Sequence, residues 1–252
     1  MSDSVGTFSQ SSASYATARP RYPDALHAWI AAQCLRTEAA WDCATGNGQA
    51  ATGIADHFTR VCATDISEEQ IAHAIPHPAV KYACGSAEAS GFGDEAFDLV
   101  TAAEALHWFD YERFWPEVSR VLRPGGLFCA FGYAWYTSTP RVDELLTQPL
   151  REALEPFWSP RIRILLNGYV DADIHFPYAR LAVPELAMTI EWSLRELIAF
   201  AETWSAFKLS RQDPSAARAI DAALASVIAE VGADTALTVR MPLSIVAGRK
   251  PG

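Results

Sequence analysis

From residue 39 onward, apolar and polar positions keep two alternating rhythms. Short apolar runs read as strands: Ala39 to Cys43, Arg60 to Thr64, Val80 to Cys84, Phe97 to Ala102 and Leu127 to Tyr133. Between them lie stretches with helical spacing: Gln49 to Phe58, a short one to about Ala74, and Tyr111 to Leu122. Ser67, followed by Glu68 and Glu69, is an N-cap signal, and Pro76 and Pro78 are a stop. Alternating strands and helices predict βαβ units and a parallel sheet covered on both faces. Ligands of such sheets bind beyond the carboxyl ends of the strands, near the point where strand order reverses.

After Tyr133 the rhythm changes. Residues 134 to 175 are rich in Trp, Tyr, Pro and Arg, and only about Val142 to Leu154 has helical spacing. Tyr178 to Ile190 is expected to be extended. Ser193 should cap a helix reaching about Phe207, Pro214 to Val231 should be helical, and Ala236 to Ala247 should form the last strand.

Composition narrows the class. Half of the residues are hydrophobic and a fifth charged, as in ordinary globular domains. The net charge of −10 disfavours a nucleic-acid partner. No apolar run approaches the roughly 20 residues of a membrane span. The polar Met1 to Gln10 lacks the layout of a signal peptide, so a cytoplasmic location is expected. Five scattered cysteines form no Cys-x-x-Cys pair, and the four that fall in the strand runs read as buried packing. No metal site is expected: Pro76 interrupts the helix between His73 and His77.

The candidate chemistry lies at the strand tips. Asp42-Cys43-Ala44-Thr45-Gly46-Asn47-Gly48 follows the first strand and opens a helix, where glycines permit a tight turn and close ligand approach. Asp65 ends the second strand, where a carboxylate can accept bonds from both hydroxyls of a ribose. Together they indicate an adenosine-containing cofactor. Gly46-Asn47-Gly48-Gln49-Ala50-Ala51 also fits a dinucleotide fingerprint, which keeps an NAD-dependent oxidoreductase in view. Asp42 weighs against it, because an acid there repels a pyrophosphate and suits an ammonium, directly or through its backbone carbonyl and water.

These segments resemble the class I S-adenosylmethionine-dependent methyltransferases, in particular the methyltransferase type 11 and trans-aconitate methyltransferase-like group. The resemblance is carried by the loop 42–48, with Ala44 in place of the first glycine and a slightly less open turn expected there. It continues through Ala63-Thr64-Asp65-Ile66-Ser67, Gly85-Ser86-Ala87-Glu88, Phe97-Asp98-Leu99-Val100, Glu104-Ala105-Leu106-His107-Trp108-Phe109 and Leu122-Arg123-Pro124-Gly125-Gly126. It implies a Rossmann-like α/β fold: a seven-stranded, mostly parallel sheet with an antiparallel last strand. One domain over 1–252 is then expected, with an N-terminal lid and helix (1–35), a cofactor-binding core (36–133), a small acceptor-side cap with helices (134–235) and the last strand (236–250).

The implied cofactor is S-adenosyl-L-methionine, contacted by Asp42, Ala44, Gly46, Gly48, Asp65, Ile66, Ser86, Ala87 and Glu104. Tyr15 and Arg19 would close over it. Trp135 and Tyr136 would line the acceptor pocket. His107 is the candidate base, with a packed aromatic corner as the alternative. The expected partner is a small-molecule acceptor, a carboxylic acid among those the resemblance allows, with Arg19, Arg21, Arg141 or Arg163 then lining its site. A monomer or homodimer is expected. A cofactor-binding protein without catalysis is the non-enzyme reading.

Overall fold

The computed structural model describes residues 21–252. Helix α1 (Asp24–Gln33) precedes β1 (Ala39–Cys43), α2 (Gln49–Ala55), β2 (Arg60–Asp65), α3 (Glu68–Ala72), β3 (Val80–Cys84) and β4 (Phe97–Ala103). A 3₁₀ turn (Leu106–Trp108), α4 (Tyr111–Val121) and β5 (Leu122–Tyr133) follow. Four of these strands, β1 to β4, match the expected runs almost residue for residue. β5 starts earlier than expected because Leu122 already pairs with Phe97; the ladder then slips and resumes at Leu99 with Leu127.

Beyond β5 come α5 (Pro140–Val142), a π turn (Asp143–Thr147), α6 (Gln148–Leu154), α7 (Pro160–Leu166) and α8 (Asp171–Ile174). β6 (Ala187–Ser193), α9 (Leu194–Glu202), α10 (Ser205–Ser210), α11 (Pro214–Val231) and β7 (Ala236–Arg249) complete the chain. α7 and α8 correct the expectation of a single helical stretch between 134 and 175. Ser159 caps α7 by accepting the Arg161 N–H at 3.3 Å, a signal hidden in sequence by the flanking prolines. The expected extended segment 178–190 shortens to β6. The helix expected from Ser193 to Phe207 is two helices, interrupted at Thr203 and Trp204. Its start is a full capping box: Ser193 Oγ accepts the Glu196 N–H, and the Glu196 carboxylate accepts the Ser193 N–H at 2.8 Å.

The seven strands form one sheet in the order β3-β2-β1-β4-β5-β7-β6. β1 to β5 pair in parallel, and β7 runs antiparallel to both β5 and β6. The expected Rossmann-like, mostly parallel sheet with an antiparallel last strand is therefore present. Strand order reverses between β1 and β4, so the crevice lies beyond Cys43 and Ala103.

Alternate residues feed opposite faces. Ala40, Leu99, Leu127 and Phe131 pack with α1, α2 and the helices after β5. Trp41, Val100, Phe128 and Ala130 pack with Phe114, Trp115 and Val118 of α4. All these strand residues are completely buried, as a sheet covered on both sides requires. Among the described residues, no helix is long and apolar enough to cross a membrane.

Candidate active site at the carboxyl ends of β1, β2 and β4

Asp42 sits one residue before the end of β1, opposite Ala63 of β2 and Thr101 of β4. Its carboxylate is wholly buried. Thr45 Oγ1 donates to one oxygen at 2.5 Å, and Thr101 Oγ1 donates to the other at 2.8 Å. Burial pushes its pKa up to about 6, against the pull of those two hydroxyls. The side chain thus braces the loop from beneath. That fixes the floor of the crevice and leaves any direct grip on an ammonium to the Asp42 backbone or to bridging water.

The loop above it is built on left-handed backbone. Ala44, Gly46 and Gly48 have φ of +52°, +56° and +89°. The less open turn expected at Ala44 does not occur; the alanine adopts the glycine-like conformation. For an L-residue that conformation costs roughly 1–2 kcal/mol. Gly48 is required twice over. Its φ disfavours any side chain, and an added Cβ would lie 2.2 Å from Tyr82 Oη. Tyr82, on β3, donates its hydroxyl to Ile75 O at 2.7 Å, while the Ile75 N–H bonds Asn47 O at 2.9 Å. One tyrosine therefore ties the segment after α3 to the loop 44–48.

Asp65 ends β2, adjacent to β1. One carboxylate oxygen accepts the Gly46 N–H at 2.8 Å and the other the Ser67 N–H at 2.9 Å. A carboxylate has about four acceptor positions, so two remain for ligand hydroxyls. Ile66 beside it is 63% exposed, an apolar surface at a strand tip. Next to Asp65, in the turn after β3, Ser86 Oγ donates to Glu88 Oε2 at 2.6 Å and accepts the Glu88 N–H at 3.1 Å. Ala87 is buried behind this turn. At the tip of β4, Glu104 is left-handed (φ +54°), and its Oε1 accepts the Tyr133 N–H at 2.5 Å.

His107 is placed otherwise than a base would need. It is 1% exposed, packs against Trp108 and Tyr169, and lies 3.2 Å from the Tyr169 hydroxyl through Nδ1. Burial, with the Arg161 guanidinium nearby, drops its pKa to about 3. A conjugate acid that strong makes a feeble proton acceptor at neutral pH. The aromatic-corner alternative fits. Arg161 secures the corner by donating to Trp108 O at 2.9 Å and Phe109 O at 3.2 Å.

On the acceptor side, Trp135 is half-buried, but Tyr136 is only 1% exposed and is core rather than lining. Tyr15 and Arg19 lie outside the described residues. Sequence reading missed Thr101, Tyr82, Tyr169, Trp158 and Trp204. Thr101 and Tyr82 matter through strand register, which one sequence does not reveal. Trp158 carries the aromatic signal noted between 134 and 175, but neither it nor Trp204 gave a hint of their convergence. Among the described residues, no group of His, Cys, Asp or Glu could hold a metal ion.

Comparison with known proteins agrees with this geometry. A family model described as a methyltransferase domain matches residues 41–130. A solved structure of a provisionally named type II methyltransferase from Anaeromyxobacter dehalogenans is 36% identical, with a TM-score of 0.84; the match covers 92% of this chain and 98% of that one. A provisionally named methyltransferase from Dictyostelium discoideum is 28% identical over 204 residues, 79% of this chain and 77% of that protein. An uncharacterized methyltransferase-like protein of Schizosaccharomyces pombe is 34% identical over 135 residues, and there the match spans about half the length of each protein (52%). The chain belongs to the class I S-adenosylmethionine-dependent methyltransferases.

Proposed function

We propose that the chain binds S-adenosylmethionine across the tips of β1, β2 and β4 and methylates a small molecule held by residues after β5. The carrying observation is Asp65. Its carboxylate is anchored to the Gly46 N–H of the neighbouring loop and keeps acceptor capacity toward the crevice. Bound there, the cofactor supplies an already activated, sulfonium-borne methyl group.

The residues position rather than react. Asp65 would take the ribose hydroxyls, with Ile66 against the base. Gly46 and Gly48 admit close backbone approach, and Asp42 with its two threonines holds that loop still. Ser86 offers a hydroxyl oxygen toward the adenine edge, with its proton held by Glu88. Glu104 stands where the amino-acid end would lie. Holding donor and acceptor in line can contribute roughly 7–11 kcal/mol, so an ionised acceptor needs no base. The readings as an NAD-dependent oxidoreductase or a silent binding protein have less support. A pyrophosphate on the loop would sit above the buried acid Asp42, and the relatives are named as methyltransferases.

A carboxylic acceptor finds little help among the arginines expected to serve it. Arg141 is engaged by Glu230 and Glu144, and Arg163 by Glu155 at 3.2 Å. Arg21 is exposed, and Arg19 lies outside the described residues.

Calorimetry with S-adenosylmethionine, S-adenosylhomocysteine and NADH tests the cofactor. The two sulfur nucleosides should bind and NADH should not; preference for NADH overturns the proposal. Asp65→Ala should weaken S-adenosylmethionine by roughly 2–4 kcal/mol, by loss of charge-assisted hydrogen bonds and of the Gly46 anchor. Formation of S-adenosylhomocysteine across an acceptor library separates an enzyme from a silent binder.

A further inference from the structure

Three tryptophans from distant parts of the chain meet beyond the end of β5. Trp135 follows β5, Trp158 precedes α7, and Trp204 occupies the break between α9 and α10. Trp135 stands edge-on to both others, at 5.1 Å from Trp204 and 6.2 Å from Trp158, while Trp158 and Trp204 are 5.7 Å apart. Phe200 backs Trp204 at 5.5 Å and is 2% exposed. The three indoles themselves are only partly covered.

Two features distinguish this cluster from ordinary core. The Trp158 indole N–H is shielded from water yet meets no acceptor. A buried donor left unmet costs about 1–3 kcal/mol, and such a donor is normally satisfied. Also, the segments that deliver the rings, Ala134 to Thr137, Phe157 to Ser159 and Thr203 to Ser205, carry no charged residue in a chain that is one-fifth charged. The helix interruption at Trp204 is what turns its ring toward the other two.

We infer that this cluster is the acceptor subsite, and that the acceptor is an uncharged, planar aromatic molecule bearing a hydrogen-bond-accepting atom for the Trp158 N–H. The inference rests on the methyl-transfer reading above and replaces the carboxylate among its allowed acceptors. Aromatic rings edge-on to one another present both faces and edges to a planar guest, the geometry in which ring pairs attract beyond simple burial. A carboxylate entering the same space would lose its hydration, and the three segments that deliver the rings carry no cation to receive it.

The test uses the full chain and a matched pair of probes, 2-naphthol and 2-naphthoate. Both are titrated by calorimetry with and without saturating S-adenosylhomocysteine. 2-Naphthol should bind at least tenfold more tightly. Trp158→Phe, which keeps a ring and removes the donor, should weaken 2-naphthol roughly two- to tenfold and leave the S-adenosylmethionine Kd unchanged. Equal or tighter binding of 2-naphthoate, no binding of 2-naphthol, or an unaltered 2-naphthol Kd in Trp158→Phe overturns the inference. The Kd of S-adenosylmethionine, measured separately, reports on the cofactor reading: its failure beside intact naphthol binding would remove the cofactor and leave the aromatic subsite standing.

Discussion

The stretch from β1 to β5 and the stretch from 134 to 235 solve different problems. The first holds its strand-tip atoms with backbone: left-handed residues at 44, 46, 48 and 104, and carboxylates clamped by amides and hydroxyls. The second is held by rings, with Trp135, Trp158, Trp192, Phe200 and Trp204 in a chain of contacts. Left-handed backbone disfavours side chains, absolutely where space is short as at Gly48 and at a modest cost at Ala44. Ring packing tolerates repacking and, on the proposal above, would set acceptor shape. The division would then permit one cofactor site to be joined to differing acceptor sites.

The sharpest way to break the comparison is to damage each side and ask what else is lost. Phe200→Ala empties a buried ring site of the second region and should cost about 3–5 kcal/mol in chemical denaturation. The S-adenosylmethionine Kd of the folded fraction should stay unchanged; a parallel loss of cofactor affinity would show that the regions are not separable. Gly48→Ala attacks the first region through left-handed strain and collision with Tyr82. It should cost about 2–4 kcal/mol of stability and abolish measurable cofactor binding.

Acid provides a milder probe. His27, on α1 against α2, is buried with its pKa lowered to about 4 by desolvation, and His107 is lowered to about 3. Between pH 6 and 4 the unfolded chain therefore gains two protons that the folded chain refuses. Asp42, raised to about 6 by burial, works in the opposite sense: the folded chain takes its proton first, and the cost of burying that charge is relieved as pH falls. Two protons against one leave one net proton bound by the unfolded state, a stability loss of about 1.4 kcal/mol per pH unit. Denaturant midpoints flat across this range would contradict the burial of the two imidazoles. The smallest effect expected is a gain. Ala44→Gly should relieve the strained turn, and after the entropy of a freer unfolded chain it should raise stability by up to about 1 kcal/mol.

Legibility in the sequence followed the same division. Strands β1 to β4 and the tips bearing Asp42 and Asp65 were readable because their apolar runs are short, well punctuated and followed by glycine or acid. The unexpected parts depended on distance in the chain. Thr101 meets Asp42 across 59 residues through strand pairing, and Tyr82 meets Gly48 across the sheet. His107 looked like a base because it follows a strand tip; Tyr169, whose ring closes over it, is 62 residues away. Tyr136 looked like lining because it follows a strand tip beside Trp135. The break at Trp204 was invisible because Thr-Trp-Ser carries neither proline nor glycine, so only tertiary packing of the indole explains it.

β7, the last strand in chain order, is inserted between two strands made earlier, β5 and β6. During synthesis, β1 to β5 can assemble as a parallel half-sheet with one raw margin, while β6 has nothing to pair with. Until residues 236–249 emerge, β6 lacks the strand that joins it to the sheet, and the open β5 margin is a template for a neighbouring nascent chain. The final strand thus acts as a keystone: truncating it should leave a sticky half-protein rather than a slightly shortened one.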